Sequence, residues 1–149
     1  MEFRSYRIKS PVKSFRDLEV YQKTIQLSDE ITNLPFLNKE SFQKDNEEVK
    51  SIAEKIPKLI AEAYGDKFDS KEIAHKKLTE AVTLMTNAVT KIDLFRERFN
   101  DNKGEKEILD NLLARYQIQK IKVLNLRKAW DRVFTNYPQN EPGKADWRK

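Results

Sequence analysis

Apolar residues recur along this chain at three- and four-residue steps in four separate stretches, the spacing that places them on one face of a helix. The first stretch begins at Ser14, where Ser14 and Asp17 form an S-x-x-D capping pattern. Leu18, Tyr21, Ile25, Ser28 and Ile31 then share a face, and Asn33-Leu-Pro-Phe36 stops the helix. A second helix is expected from about Lys39–Ser41 to Tyr64, with Phe42, Val49, Ile52, Ile56, Leu59 and Ala63 inward and Gly65 as its left-handed terminator. The third pattern is the cleanest: Ala74, Leu78, Ala81, Met85, Ala88, Ile92, Phe95 and Phe99 form an uninterrupted four-three repeat. Small residues alternate there with large ones, which permits close helix approach. Asn100–Gly104 closes a hairpin into a fourth helix, about Lys106 to Thr135. Its inward register is Leu109, Leu112, Tyr116, Gln119, Val123, Leu126, Trp130 and Val133. Four helices with short links predict an all-α, antiparallel up-down-up-down bundle. The expected organisation is a basic N-terminal tail at 1–13, the bundle at 14–135 and a flexible C-terminal tail at 136–149.

Composition narrows the chemistry. The 149 residues include three glycines and five prolines, with 36% charged residues, which suits long helices rather than many turns. There is no cysteine, so disulfides, thiolate metal sites and cysteine catalysis are excluded. One histidine, His75, does not supply a histidine metal site or a Ser-His-Asp triad. Glu72 and His75 form a single Glu-x-x-His, where a di-iron bundle needs two. No catalytic constellation, metal or cofactor is expected, so the chain reads as a non-enzymatic protein. No apolar run reaches the roughly 18 to 20 residues of a membrane span, and Met1–Arg7 lacks the apolar core of a signal peptide. The expected location is therefore cytoplasmic, with no membrane partner.

Charge is unevenly distributed. The net charge is +5, of which residues 1–13 carry +3 and residues 136–149 carry +1, while 14–135 holds 22 basic and 21 acidic residues. The fourth helix is the exception within that balance. From Asn111 to Trp130 it has no acidic residue, yet it carries Arg115, Lys120, Lys122, Arg127 and Lys128, with Arg132 just beyond. Clustered Arg and Lys on one helix can follow a phosphate backbone, so these six are the candidate nucleic-acid contacts. The competing reading is that they pair with acids on neighbouring helices. The same helix bears Ile118, Ile121 and Leu124 outside its core register. Apolar residues on several sides imply burial on several sides. That second patch is either an oligomer interface or a surface covered by a terminal segment containing Phe3, Tyr6 or Trp147.

Pro57 lies inside the second helical pattern. An interior proline removes one backbone hydrogen bond and clashes with the preceding turn, at about 3 kcal/mol or more, so packing on both sides has to outweigh it. The segment containing it also carries a resemblance. Phe15, Asp17, Leu18, Val20, Tyr21, Gln22 and Lys23 resemble the opening of the bacterial four-helix-bundle family encoded in intervening sequences of large-subunit ribosomal RNA genes. That family's second helix has a Ser-Ile-Pro-x-Asn-Ile-Ala-Glu-Gly signature, which Ile56, Pro57, Ile60, Ala61 and Glu62 match in register. Lys55, Leu59 and Ala63 replace its serine, asparagine and glycine. Leu59-Ile-Ala-Glu-Ala-Tyr64 is more similar to the branch serving as accessory variability proteins of diversity-generating retroelements. That resemblance implies a homopentameric scaffold that binds a reverse transcriptase and RNA through basic surface. The basic positions of the fourth helix lie outside the matched motifs, so their assignment rests on that helix alone.

Overall fold

The computed structural model describes residues 14–34, 42–99 and 101–136, with side chains through residue 133. The expected tails, the Pro35–Phe36 stop and the Lys39–Ser41 helix start lie outside the described residues. Those that are described form a 3-10 turn, Phe15–Asp17, and four helices: α1, Glu19–Thr32; α2, Gln43–Asp66; α3, Lys71–Arg98; and α4, Lys103–Asn136. They contain no strand and make an all-α four-helix bundle. None of these helices is long and apolar enough to cross a membrane.

The capping box at Ser14 forms, but it caps a single turn rather than α1. The Ser14 hydroxyl accepts from Arg16 N at 3.2 Å, and Asp17 accepts from Ser14 N at 3.3 Å. Leu18 then turns extended (φ −73, ψ 126), and α1 starts at Glu19. The inward face of α1 matches the expected one at Leu18, Ser28 and Ile31 and departs from it chiefly at Ile25. Val20, Thr24, Leu27, Ser28 and Ile31 are buried, whereas Ile25 is 37% exposed. Thr24 can take a core position because its hydroxyl donates to the carbonyls of Val20 (2.7 Å) and Tyr21 (3.1 Å), which removes the cost of burying an unpaired polar group.

The second helix continues through Pro57, which is itself buried, with Ile56 and Ile60 fully buried beside it. Gly65 does not terminate the helix. The helix runs on to Asp66, and Lys67 follows in the right-handed region (φ −60, ψ −23) with its N–H on the Ala63 carbonyl at 3.0 Å. The turn is closed by Ser70 N on the Asp66 carbonyl at 2.7 Å, and the Ser70 side chain then caps α3 through Ile73 N at 3.2 Å. All eight positions of the expected α3 stripe are buried. At one extremity of the core, Phe42 packs edge-on against Phe95 (5.9 Å) and stacks on Phe99 (5.2 Å).

In α4 the register from Leu109 to Val123 is buried, Leu126 and Trp130 are partly buried against the core, and Val133 is 43% exposed. The helix begins three residues earlier than expected, where Asn102 Oδ1 accepts from Glu105 N at 3.2 Å. Tyr116 is fully buried, and burial pushes its phenol above the ordinary value.

Candidate functional site

The six basic side chains of α4 do not form one surface, because a helix of this pitch distributes them around its axis. Arg115 and Lys122 turn toward α1. Arg115 holds Glu30 in a two-pronged fork, with Nη1 on Oε1 at 2.6 Å and Nη2 on Oε2, and donates a third bond to Asn111 Oδ1 at 3.1 Å. Lys122 Nζ reaches Glu19 at 2.8 Å. These two therefore match the competing reading, pairing with acids on a neighbouring helix. Arg127 turns the other way and donates to Thr79 Oγ1 of α3 at 2.9 Å. Lys128 and Arg132, one turn apart, are exposed, and Lys120 is half-buried. Lys120, Lys128 and Arg132 have no ion pair among the described residues.

The α1–α4 seam is the most open in the bundle. It holds a groove of about 610 Å³ lined by residues that include Lys23, Glu30, Arg115, Ile118, Gln119 and Lys122. The Arg115 hydrogen bond holds the Glu30 carboxyl below the usual carboxylate value; partial burial opposes this and the guanidinium charge adds to it. A lowered carboxylate value contributes stability above the unfolded value of about 4.3, and the contribution is lost as pH falls through the folded value. Glu30→Gln is therefore expected to cost about 0.5–1 kcal/mol at neutral pH, the upper range for a partly exposed fork. Near pH 3 that difference should shrink toward zero, as read by urea midpoints at both pH values.

Of the proposed interface residues, Ile118 is 50% exposed and Ile121 58%, while Leu124 is half-buried. On α3, the ten residues Ala81–Thr90 contain no charge in a chain that is 36% charged. Thr83, Thr86 and Thr90 in that run are exposed, and each donates its hydroxyl to the carbonyl four residues back.

A second cationic cluster gathers where the α2–α3 turn meets the last part of α4. Lys67, Lys71, His75 and Arg127 line one small cleft with Trp130 and Asp131. His75 Nδ1 lies 2.9 Å and 3.2 Å from the two Asp131 carboxylate oxygens, so the one acidic residue in 119–136 is already engaged. Lys67 Nζ sits 3.2 Å from the Phe68 ring centroid, 3.9 Å from Tyr64 and 5.7 Å from Trp130. Burial among these rings pulls the Lys67 ammonium below its ordinary value. Charge counting along α4 did not locate Lys67, Lys71, Tyr64 or Phe68, because they belong to the turn and its flanks. The available signal was the interleaving of aromatic and basic residues in Tyr64–Lys71. No group of three or more acidic or histidine side chains is placed to hold a metal among the described residues. Comparisons with protein-family models, with curated proteins and with solved structures return no match.

Proposed function

We propose that this chain is a non-enzymatic, homo-oligomeric scaffold that binds RNA through one basic end of an antiparallel up-down-up-down bundle. Support for the antiparallel arrangement comes from side-chain pairs joining opposite ends of successive helices: Lys77 with Asp66, Arg98 with Asp45, His75 with Asp131, and Arg96 with Asp110. Lys122 with Glu19 and Arg115 with Glu30 do the same for α4 and α1. In that arrangement residues 14–24, 54–82 and 119–136 make up one half of the bundle.

The observation that carries the RNA reading is the charge difference between the halves. This half holds thirteen basic and nine acidic residues, whereas 25–34, 42–53, 83–99 and 101–118 hold eight basic and eleven acidic. The chain enters the bundle at Ser14 and leaves it at Asn136, so the +3 of residues 1–13 is also attached to the basic half. Phosphate neutralisation at such an end releases counterions, which gives affinity that falls steeply with salt. Positioning the RNA for a partner's active site requires no chemistry by this chain. The resemblance of the second helix to accessory variability proteins makes a reverse transcriptase of a diversity-generating retroelement the proposed protein partner and a pentameric ring the proposed assembly. Symmetry would then repeat the basic end around the ring.

The test is RNA affinity of the native assembly as a function of salt, with and without charge reversal at the basic end. Salt-independent or absent binding overturns the proposal. A second reading, a protein-interaction bundle with no nucleic-acid role, draws on Ile118, Ile121 and the uncharged run on α3. Ile118→Glu with Ile121→Glu is expected to convert the oligomer to monomers by native mass. An unmutated chain that is already a monomer removes the assembly from both readings.

A further inference from the structure

We infer that Tyr64, Phe68 and Trp130 form a base-stacking platform, and that the RNA class taken by the basic end is single-stranded. The inference rests on the RNA reading above and adds to it the kind of strand that fits. Phe68 is 68% exposed, the most exposed of the large hydrophobic side chains among the described residues. Phe68 packs edge-on to Tyr64, with centroids 5.9 Å apart and planes at 86°, and Tyr64 packs at 6.4 Å and 62° against Trp130. Trp130 is itself braced against the core. A solvent-facing ring is thus anchored through a second ring to a third that the bundle holds in place. Tyr64 and Phe68 also straddle the end of α2, so their backbone positions are set by the helix and its closing hydrogen bonds.

The surrounding charge selects the ligand. Lys67 lies against Phe68 and Tyr64, while Lys71 and Arg127 share the adjoining cleft with Trp130. An exposed ring beside cations is what an unpaired nucleotide strand requires: Lys67 covers one face of Phe68, the opposite face of this exposed ring takes a base, and the ammonium and guanidinium groups take the neighbouring phosphates. A duplex cannot use the platform, because its bases are stacked on each other and its outer surface is backbone. An apolar protein segment laid on Phe68 would have to desolvate the Lys67 ammonium that lies against the ring.

The experiment compares binding of an unstructured RNA of ~20 nucleotides, longer than the ~4–16 nucleotide sites of typical single-strand binders, with binding of a duplex of equal length. Phe68→Ala should weaken single-strand binding roughly 5- to 150-fold, the equivalent of one lost base stack, and leave duplex binding unchanged. Phe68→Trp should restore it. Lys71→Glu with Arg127→Glu should weaken both RNAs. Because Phe68 is exposed, its truncation leaves the core intact, and an unchanged circular dichroism melt confirms this. If charge reversal weakens both RNAs but Phe68→Ala changes neither, the platform is overturned and the electrostatic reading stands. If charge reversal changes neither RNA, the RNA reading itself fails. If Phe68→Ala alters the native mass while RNA affinity is unchanged, Phe68 is a protein contact and the platform is overturned.

Discussion

Reversing Arg127, Lys128 and Arg132 together to glutamate is expected to lower RNA affinity on the order of 10²-fold or more at about 0.1 M salt. The magnitude follows from counterion release: each phosphate contact contributes a slope of roughly 0.7–0.9 in log affinity against log salt. At about 0.1 M that is roughly a five- to eightfold contribution per contact relative to 1 M salt. Three lost contacts multiply, and the introduced carboxylates add repulsion. The slope itself should fall by roughly 2 to 3 for the three contacts. Lys128 and Arg132 are exposed and have no ion pair among the described residues, so their replacement leaves no buried group without its partner. Arg127 loses one bond to a surface threonine. Arg115→Glu is the informative contrast. It breaks the fork to Glu30 and sets two carboxylates against each other, so its effect should appear in stability before affinity. A triple variant that binds RNA as tightly as the native chain, with the same slope, would remove the basic half as the binding surface.

Phe95→Ala is expected to destabilise the fold by about 3–5 kcal/mol, the range for emptying an aromatic core position. Phe95 is 2% exposed, sits near the end of α3 and makes the edge-on contact with Phe42 that closes that extremity of the core. Against a typical total of about 5–15 kcal/mol, this is a large fraction. Its neighbour Leu94 is 54% exposed, and Leu94→Ala should stay within about 0.5 kcal/mol. Urea midpoints at fixed protomer concentration make the comparison, since association would otherwise shift both values. Equal effects at 94 and 95 would mean that the α3 register is misplaced.

That register shows how far pattern alone can reach. Every position of the α3 stripe is buried, because α3 packs along its length against both α2 and α4 and its face is therefore set by one continuous seam. Helix α1 is different. Two stripes about 100° apart, Leu18-Tyr21-Ile25-Ser28 and Val20-Thr24-Leu27-Ile31, are similarly apolar in sequence. The buried face takes Leu18 and Ser28 from the first and all of the second, leaving Ile25 exposed; Thr24 can join it because its hydroxyl is satisfied on its own backbone, which no hydropathy pattern reports. Gly65 was misleading for a related reason. A glycine near a helix end suggests a left-handed terminator, yet here nothing lies within 4 Å of where a Cβ would stand, and the helix passes through. The bond from Lys67 to Ala63 and the Ser70 cap end the turn instead.

The candidate site divides in the same way. The absence of acids from Asn111 to Trp130 was plain in the sequence, as were the four helices, the proline carried within the second of them and the lack of cysteine. Those properties depend on residue type and spacing along one chain direction, which is why they can be read without a fold. Which cations are engaged depends on what lies across the seam, and only tertiary structure brings residues 30 and 115, or 79 and 127, together. The same is true of Lys67 among Tyr64, Phe68 and Trp130, where a residue of the α2–α3 turn and one of α2 meet a ring more than sixty positions away. One-dimensional charge counting placed the basic region on α4. Packing of the bundle drew part of that charge into pairs with α1 and set Arg127 beside the turn, because a side chain's available charge is set by its nearest neighbours in space.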